Sequence, residues 1–141
     1  MQNQPMSQQT IIIADDEAFL AQMLSFNIQK SGHKVFVARD GMELCAMAEK
    51  KHPNLIITDY QMPIMNGLAA CIRLKQTPAT ADIPVLMLTA RGHRLSPEEL
   101  SQTNIRLLMP KPFSVREVIA QVEQFLHAAV GPPSPAGGAA I

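Results

Sequence analysis

No charge of either sign dominates this chain: twelve Lys and Arg stand against twelve Asp and Glu in 141 residues, for a formal net charge of zero. That balance argues against a general nucleic-acid or membrane-surface binder, which needs a basic excess. No apolar run approaches the ~20 residues of a membrane span. Neither nucleic acid nor membrane is therefore an expected partner. The N-terminus, Met1-Gln2-Asn3-Gln4-Pro5, has no basic start and no apolar stretch, so no secretory signal is expected. Cysteine is scarce. Cys45 and Cys71 lie in helix-like segments without C-x-x-C spacing and read as reduced, packed thiols of a cytoplasmic protein. His33, His52, His93 and His127 are scattered and form no metal-ligand pattern. No internal repeat is present.

The chain does have enough apolar residues for a core. It is 47% hydrophobic and 17% charged, which excludes a disordered class. Its length suggests one domain that buries roughly two-thirds of the surface of its unfolded chain. Four of residues 1–9 are Gln, and residues 131–141 read GPPSPAGGAAI. Neither end can bury enough apolar surface to offset its ordering entropy. The expectation is a folded domain over residues 10–130 between two flexible tails, 1–9 and 131–141, with no output domain attached.

Apolar, β-branched runs alternate with helical patterns. Residues 10–14 (TIIIA) suit a buried strand. Phe19, Leu20, Met23, Leu24, Asn27 and Ile28 form a helical stripe over residues 17–30, ended by Gly32. Val35 to Val37 make a second strand, and Asp40 with Glu43 opens a helix to about Lys51. A third strand, Leu55, Ile56 and Ile57, ends at Asp59, and a helix follows over about residues 66–75. Residues 84–89 (PVLMLT) are a fourth strand, and Ser96-Pro97-Glu98-Glu99 is a capping box. Residues 105–109 are a fifth strand. Ser114 and Glu117 cap a last helix whose apolar positions are Val115, Val118, Ile119, Val122, Phe125 and Leu126. Five βα units in a row predict an α/β fold with a parallel sheet covered on both faces. Ligands of such sheets bind at the carboxyl ends of the strands.

Those ends carry chemistry. The first strand runs into Asp15-Asp16, the third into Asp59, the fourth into Thr89, and the fifth into Lys111-Pro112. Taken singly, each has a plain structural reading: an N-cap, a β-favouring Thr, a surface Lys. Together they put three carboxylates, a hydroxyl and an amine on one rim. Neighbouring carboxylates raise one another's pKa unless a cation joins them. An all-oxygen site suits a hard cation such as Mg²⁺. Lys111 and Thr89 would neutralise and hydrogen-bond the oxygens of a phosphoryl group in transit. Asp59, between the first-strand acids and the Thr89/Lys111 pair, is the candidate nucleophile.

Four segments in order carry a family resemblance: Asp15-Asp16-Glu17 after an apolar strand, Asp59-Tyr60-Gln61-Met62-Pro63-Ile64-Met65-Asn66-Gly67, Leu88-Thr89-Ala90, and Lys111-Pro112-Phe113. Thirty residues separate Asp59 from Thr89, and 22 separate Thr89 from Lys111. Over residues 10–130 the chain resembles a bacterial response-regulator receiver domain of the stand-alone, chemotaxis-regulator-like kind. The resemblance implies a flavodoxin-like, doubly wound (βα)5 fold. Its five-stranded parallel sheet has the order 2-1-3-4-5, with two helices on one face and three on the other. It implies that Asp59 is the phospho-acceptor. Asp16, Asp59 and the Gln61 backbone carbonyl would ligate Mg²⁺ directly, with Asp15 acting through water. Thr89 would swing toward the phosphoryl group, Lys111 would pair with Asp59 or the phosphate, and the Lys111-Pro112 bond would be cis. The implied partners are a sensor histidine kinase or histidine phosphotransfer protein and an unidentified downstream protein target.

Three positions depart from the family pattern. Leu108 stands where a rotating aromatic is usual, which predicts a weaker switch or one using another group. Pro110 lacks a ladder N–H, tolerable on an edge strand. Residues 90–94 read Ala-Arg-Gly-His-Arg, which offers Arg91 as a candidate phosphoryl contact beside the plainer reading of two solvated arginines. The expected function is a phosphorylatable receiver, not an enzyme beyond slow self-dephosphorylation. The alternative is a phosphorylation-independent docking module with a vestigial site. A true phosphohydrolase would need a further acid to activate water and a substrate cap.

Overall fold

Each apolar run becomes a strand and each amphipathic run a helix in the computed structural model, which describes residues 8–130. The strands are β1 (Thr10–Ala14), β2 (Lys34–Ala38), β3 (Leu55–Asp59), β4 (Val85–Thr89) and β5 (Ile105–Pro110). The helices are α1 (Ala18–Lys30), α2 (Gly41–Lys51), α3 (Gly67–Gln76), α4 (Pro97–Ser101) and α5 (Val115–Val130). All strands are parallel, in the order β2-β1-β3-β4-β5. This is the flavodoxin-like arrangement. The central strands β3 and β4 are buried throughout, as a sheet covered on both faces requires, whereas β2 and β5 are partly exposed edges. Pro110 ends one of those edges.

Alternation along the strands divides the core in two. Ile12, Ile56, Val85 and Met87 face α2 and α3 through Leu44, Cys45, Ala48, Ala70, Cys71 and Leu74, with Leu100 of α4 against the same cluster. Ile11, Ile13, Leu55, Ile57, Leu86 and Leu88 face α1 and α5 through Ala21, Leu24, Ile28, Val118, Val122 and Leu126. Two helices therefore cover one face and three the other. Both thiols are free and buried. Burial, with the other thiol nearby, pushes Cys71 up to about 12, so it stays an unreactive thiol.

Local capping follows the sequence closely. Asp40, Asn66 and Ser96 each accept from the backbone N–H three residues on. Ser114 and Glu117 exchange reciprocal bonds at the start of α5. The α1 stripe needs correction. Its buried residues are Ala21, Leu24 and Ile28, while Phe19 is 76% and Phe26 62% exposed. Leu20, Leu24 and Ile28 keep their inward places, Ala21 joins them, and Phe19 and Met23 turn to solvent.

Of the N-terminal tail expected over 1–9, only Gln8 and Gln9 are described. Gln9 already joins the sheet: its carbonyl accepts from Lys34 N–H, and its N–H donates to His33 Nδ1. Residues 1–7 and the tail expected over 131–141 lie outside the described residues. Among the described residues, no helix is long and apolar enough to cross a membrane.

Candidate functional site

Strand register assembles the site. Ala14 lies opposite Thr58, so Asp15 follows β1 directly beside Asp59 at the end of β3. Asp59 in turn lies opposite Leu88, which puts Thr89 one residue further along the same rim, opposite Pro110. Lys111 leaves β5 with its backbone N–H donated to the Thr89 carbonyl at 2.7 Å, and the Lys111–Pro112 peptide is cis. Residues scattered over almost a hundred positions thus meet because four parallel strands end at one level.

Carboxylate oxygens of Asp15, Asp16 and Asp59 lie within 4.8 Å of one another. Asp15 and Asp59 are buried, whereas Asp16 is exposed. Lys111 Nζ sits 3.4 Å from Asp59 Oδ2 and 3.6 Å from Glu17 Oε1. Gln61 is exposed and lines an open cleft of about 410 Å³ together with Asp16, Tyr60, Met62, Pro63 and Asn66.

The electrostatics follow from burial. Asp15 is pushed up to about 6, first by loss of solvation and further by the Asp59 charge; a hydrogen bond from Glu17 N–H to its Oδ1 pulls the other way. Its second oxygen, Oδ2, is buried with no hydrogen-bond partner. Burial raises Asp59 too, against the pull of Lys111. For Lys111, burial favours the neutral amine, but Asp59, Asp15 and Glu17 together outweigh it and hold the ammonium charged. A buried, unpartnered carboxylate oxygen beside two further carboxylates is an oxygen donor set that fits a hard cation such as Mg²⁺.

Other sequence candidates fall in different places. Leu108 is half-buried against the α2/α3 side of the core. Arg91 and Arg94 are exposed in the β4–α4 loop, where Gly92 has φ +83°. Sequence reasoning missed three features. Glu17 shares the Lys111 ammonium with Asp59, although its place after Asp15-Asp16 was in plain view. Gly67 lies so close to Asp59 that a Cβ there would overlap the Asp59 carbonyl oxygen. The Tyr60 and His93 rings stack with centroids 4.2 Å apart, a pairing that no local pattern announces.

Comparison with known proteins agrees with this geometry. Residues 11–123 match the response regulator receiver domain family. The DNA-binding dual master transcriptional regulator RpaA of Synechocystis sp. strain PCC 6803 is 36% identical over 117 residues, 83% of this chain and 48% of RpaA. The chain spans about half the length of the curated relatives it matches. Among solved structures, a response regulator of Chloroflexus aurantiacus superposes with a TM-score of 0.75 at 30% identity, covering 86% of this chain and 99% of that one. Chemotaxis response regulator CheY4 of Vibrio cholerae gives 0.76 at 26%, covering 84% and 99%. With its sheet order, rim of acids and matched span all in agreement, the chain belongs to the response regulator receiver domain family.

Proposed function

We propose that this protein is a phosphorylatable receiver of a two-component or phosphorelay system, with residues 10–130 as the functional unit and Asp59 as the phospho-acceptor. The observation that carries the reading is the convergence of Asp15, Asp16, Asp59, Thr89 and Lys111 at the carboxyl ends of the strands, with Lys111 Nζ 3.4 Å from Asp59 Oδ2. The donor is the phosphohistidine of a sensor kinase or phosphotransfer protein. One Asp59 oxygen attacks phosphorus, and a P–O bond forms as the P–N bond to the donor imidazole breaks. Asp15, Asp16, Asp59 and the Gln61 carbonyl would hold Mg²⁺, with Asp15 through water; the ion supplies charge neutralisation to the phosphoryl oxygens. Lys111 adds its ammonium to the same oxygens, and the Thr89 hydroxyl donates to one of them. The site serves signalling and not turnover, since the only hydrolysis it supports is slow loss of its own aspartyl-phosphate. A cytoplasmic setting accords with two buried free thiols.

Leu108 favours a second reading, a docking module that binds its target without phosphorylation. It lacks both the area and the hydroxyl of an aromatic that exchanges between two packings. The complete set of acids, Thr and Lys weighs against that reading. The test is intact-mass spectrometry after incubation with acetyl phosphate and Mg²⁺. The wild type gains one phosphoryl group and Asp59→Asn gains none. Equal labelling of the two overturns the assignment, and an unlabelled wild type that still binds its target supports the docking module.

A further inference from the structure

We propose that the Tyr60–His93 ring pair positions the β4–α4 loop, and through it Thr89, and so does the work of the aromatic that this chain lacks at Leu108. The inference rests on the phospho-acceptor reading above.

Tyr60 directly follows Asp59 and is fixed from both sides. Its N–H donates to the Leu88 carbonyl at 2.9 Å, and its own carbonyl accepts from Gly67 N–H at 2.7 Å. Its ring packs against the α2/α3 side of the core. The ring is therefore a rigid wall beside the acceptor.

His93 belongs to the opposite, softer partner. It lies four residues past Thr89, in a segment between β4 and α4 with no regular structure. One turn closes that segment, His93 N–H to the Ala90 carbonyl at 3.0 Å, and Gly92 supplies the left-handed residue the turn needs. The two rings meet at 4.2 Å between centroids with a 45° tilt, slightly closer than the ~4.5–7 Å usual for aromatic pairs, so the contact is intimate. His93 Nε2 is buried without a hydrogen-bond partner. That loss offsets part of the ring contact, so His93 is held weakly on Tyr60, while Leu95 on the core and the Ser96 cap anchor the far end of the loop. When Thr89 moves toward a phosphoryl group, a tether of four residues draws His93 off Tyr60 and lets Nε2 reach water. The pair thus biases a two-state loop from within the site. Leu108 has no polar group to make such an exchange.

The test is titration of beryllofluoride, a phosphoryl mimic, in the presence of Mg²⁺, followed by NMR. His93→Ala and Tyr60→Ala each release the loop and should tighten beryllofluoride binding about three- to tenfold, the size of one aromatic contact. Binding to His93→Phe, which keeps the ring, should stay near wild type. The double variant should bind no tighter than either single one, because both remove the same contact. Mg²⁺ affinity without beryllofluoride should not change in His93→Ala, which separates a positioning role from general damage. Should His93→Ala fail to fold, His93→Leu, closer in volume but without an aromatic face, carries the same expectation. Unchanged or weaker beryllofluoride binding in the single variants, or additive effects in the double, overturns the inference. A wild type that ignores beryllofluoride, or an Asp59→Asn variant that binds it equally, instead overturns the acceptor reading beneath it.

Discussion

Gly67 and Asp59 meet backbone to backbone: a Cβ on Gly67 would overlap the Asp59 carbonyl oxygen, and the Gly67 N–H donates to the next carbonyl, Tyr60, at 2.7 Å. The first residue of α3 is thereby pressed against the end of β3, and the acceptor is held from behind. On helix propensity alone, Gly67→Ala would stabilise α3 by up to about 1 kcal/mol. The overlap reverses the sign. Gly67→Ala should destabilise the protein by about 2 kcal/mol, in the range of core overpacking. Urea unfolding with an unchanged m-value measures this, and a variant as stable as wild type would refute so close an approach.

Asp15 makes the metal-free protein acid-stabilised over a defined window. Its carboxyl titrates near 6 in the folded state against 3.8 when unfolded. Between those values the native state binds the extra proton, so this group's contribution falls as pH rises from about 4 to about 6 and stays unfavourable above. Two pH units correspond to about 3 kcal/mol, part of which an asparagine recovers, since its amide is uncharged but still a buried polar group. In EDTA at pH 7, Asp15→Asn should therefore be more stable than wild type by about 1–2 kcal/mol, with the advantage shrinking toward pH 4.5. Denaturant midpoints at the two pH values decide it; a variant less stable at pH 7 would count against an uncompensated buried carboxylate.

Exposed Asp16 allows a cleaner test of the metal. Removing an exposed carboxylate costs little folding stability by itself, so Asp16→Ala should melt near the wild-type temperature in EDTA. Mg²⁺ at a hundred times its dissociation constant stabilises the native wild type by about 2.7 kcal/mol, several degrees for a domain of this size. The variant should lose most of that gain. Wild-type melts indifferent to millimolar Mg²⁺ would contradict the site, and an Asp16→Ala variant that responds equally would remove this residue from it.

What the sequence alone determined is local or periodic. The strand interiors are continuous apolar runs because both faces of the sheet are covered. The caps at Asp40, Asn66, Ser96 and Ser114 close bonds over three residues, which neighbours in the chain can make unaided. The acids, Thr and Lys were legible as strand-end residues, and the family resemblance supplied their order across the sheet. The tertiary structure decided contacts that depend on distances no period encodes. Residue spacing in α1 allowed Phe19 to face inward; packing on the sheet chose Ala21, Leu24 and Ile28, and left Phe19 in solvent. A register shift between Val85 and Leu86 passes over Arg106, placing Leu107 opposite Leu86 and so bringing Pro110 level with Thr89. Lys111 is shared by Asp59 and Glu17, and Tyr60 stacks on His93, because loops from different strands converge at one rim. Those pairings depend on the register of β1, β3, β4 and β5, so they exist only once these four strands are side by side.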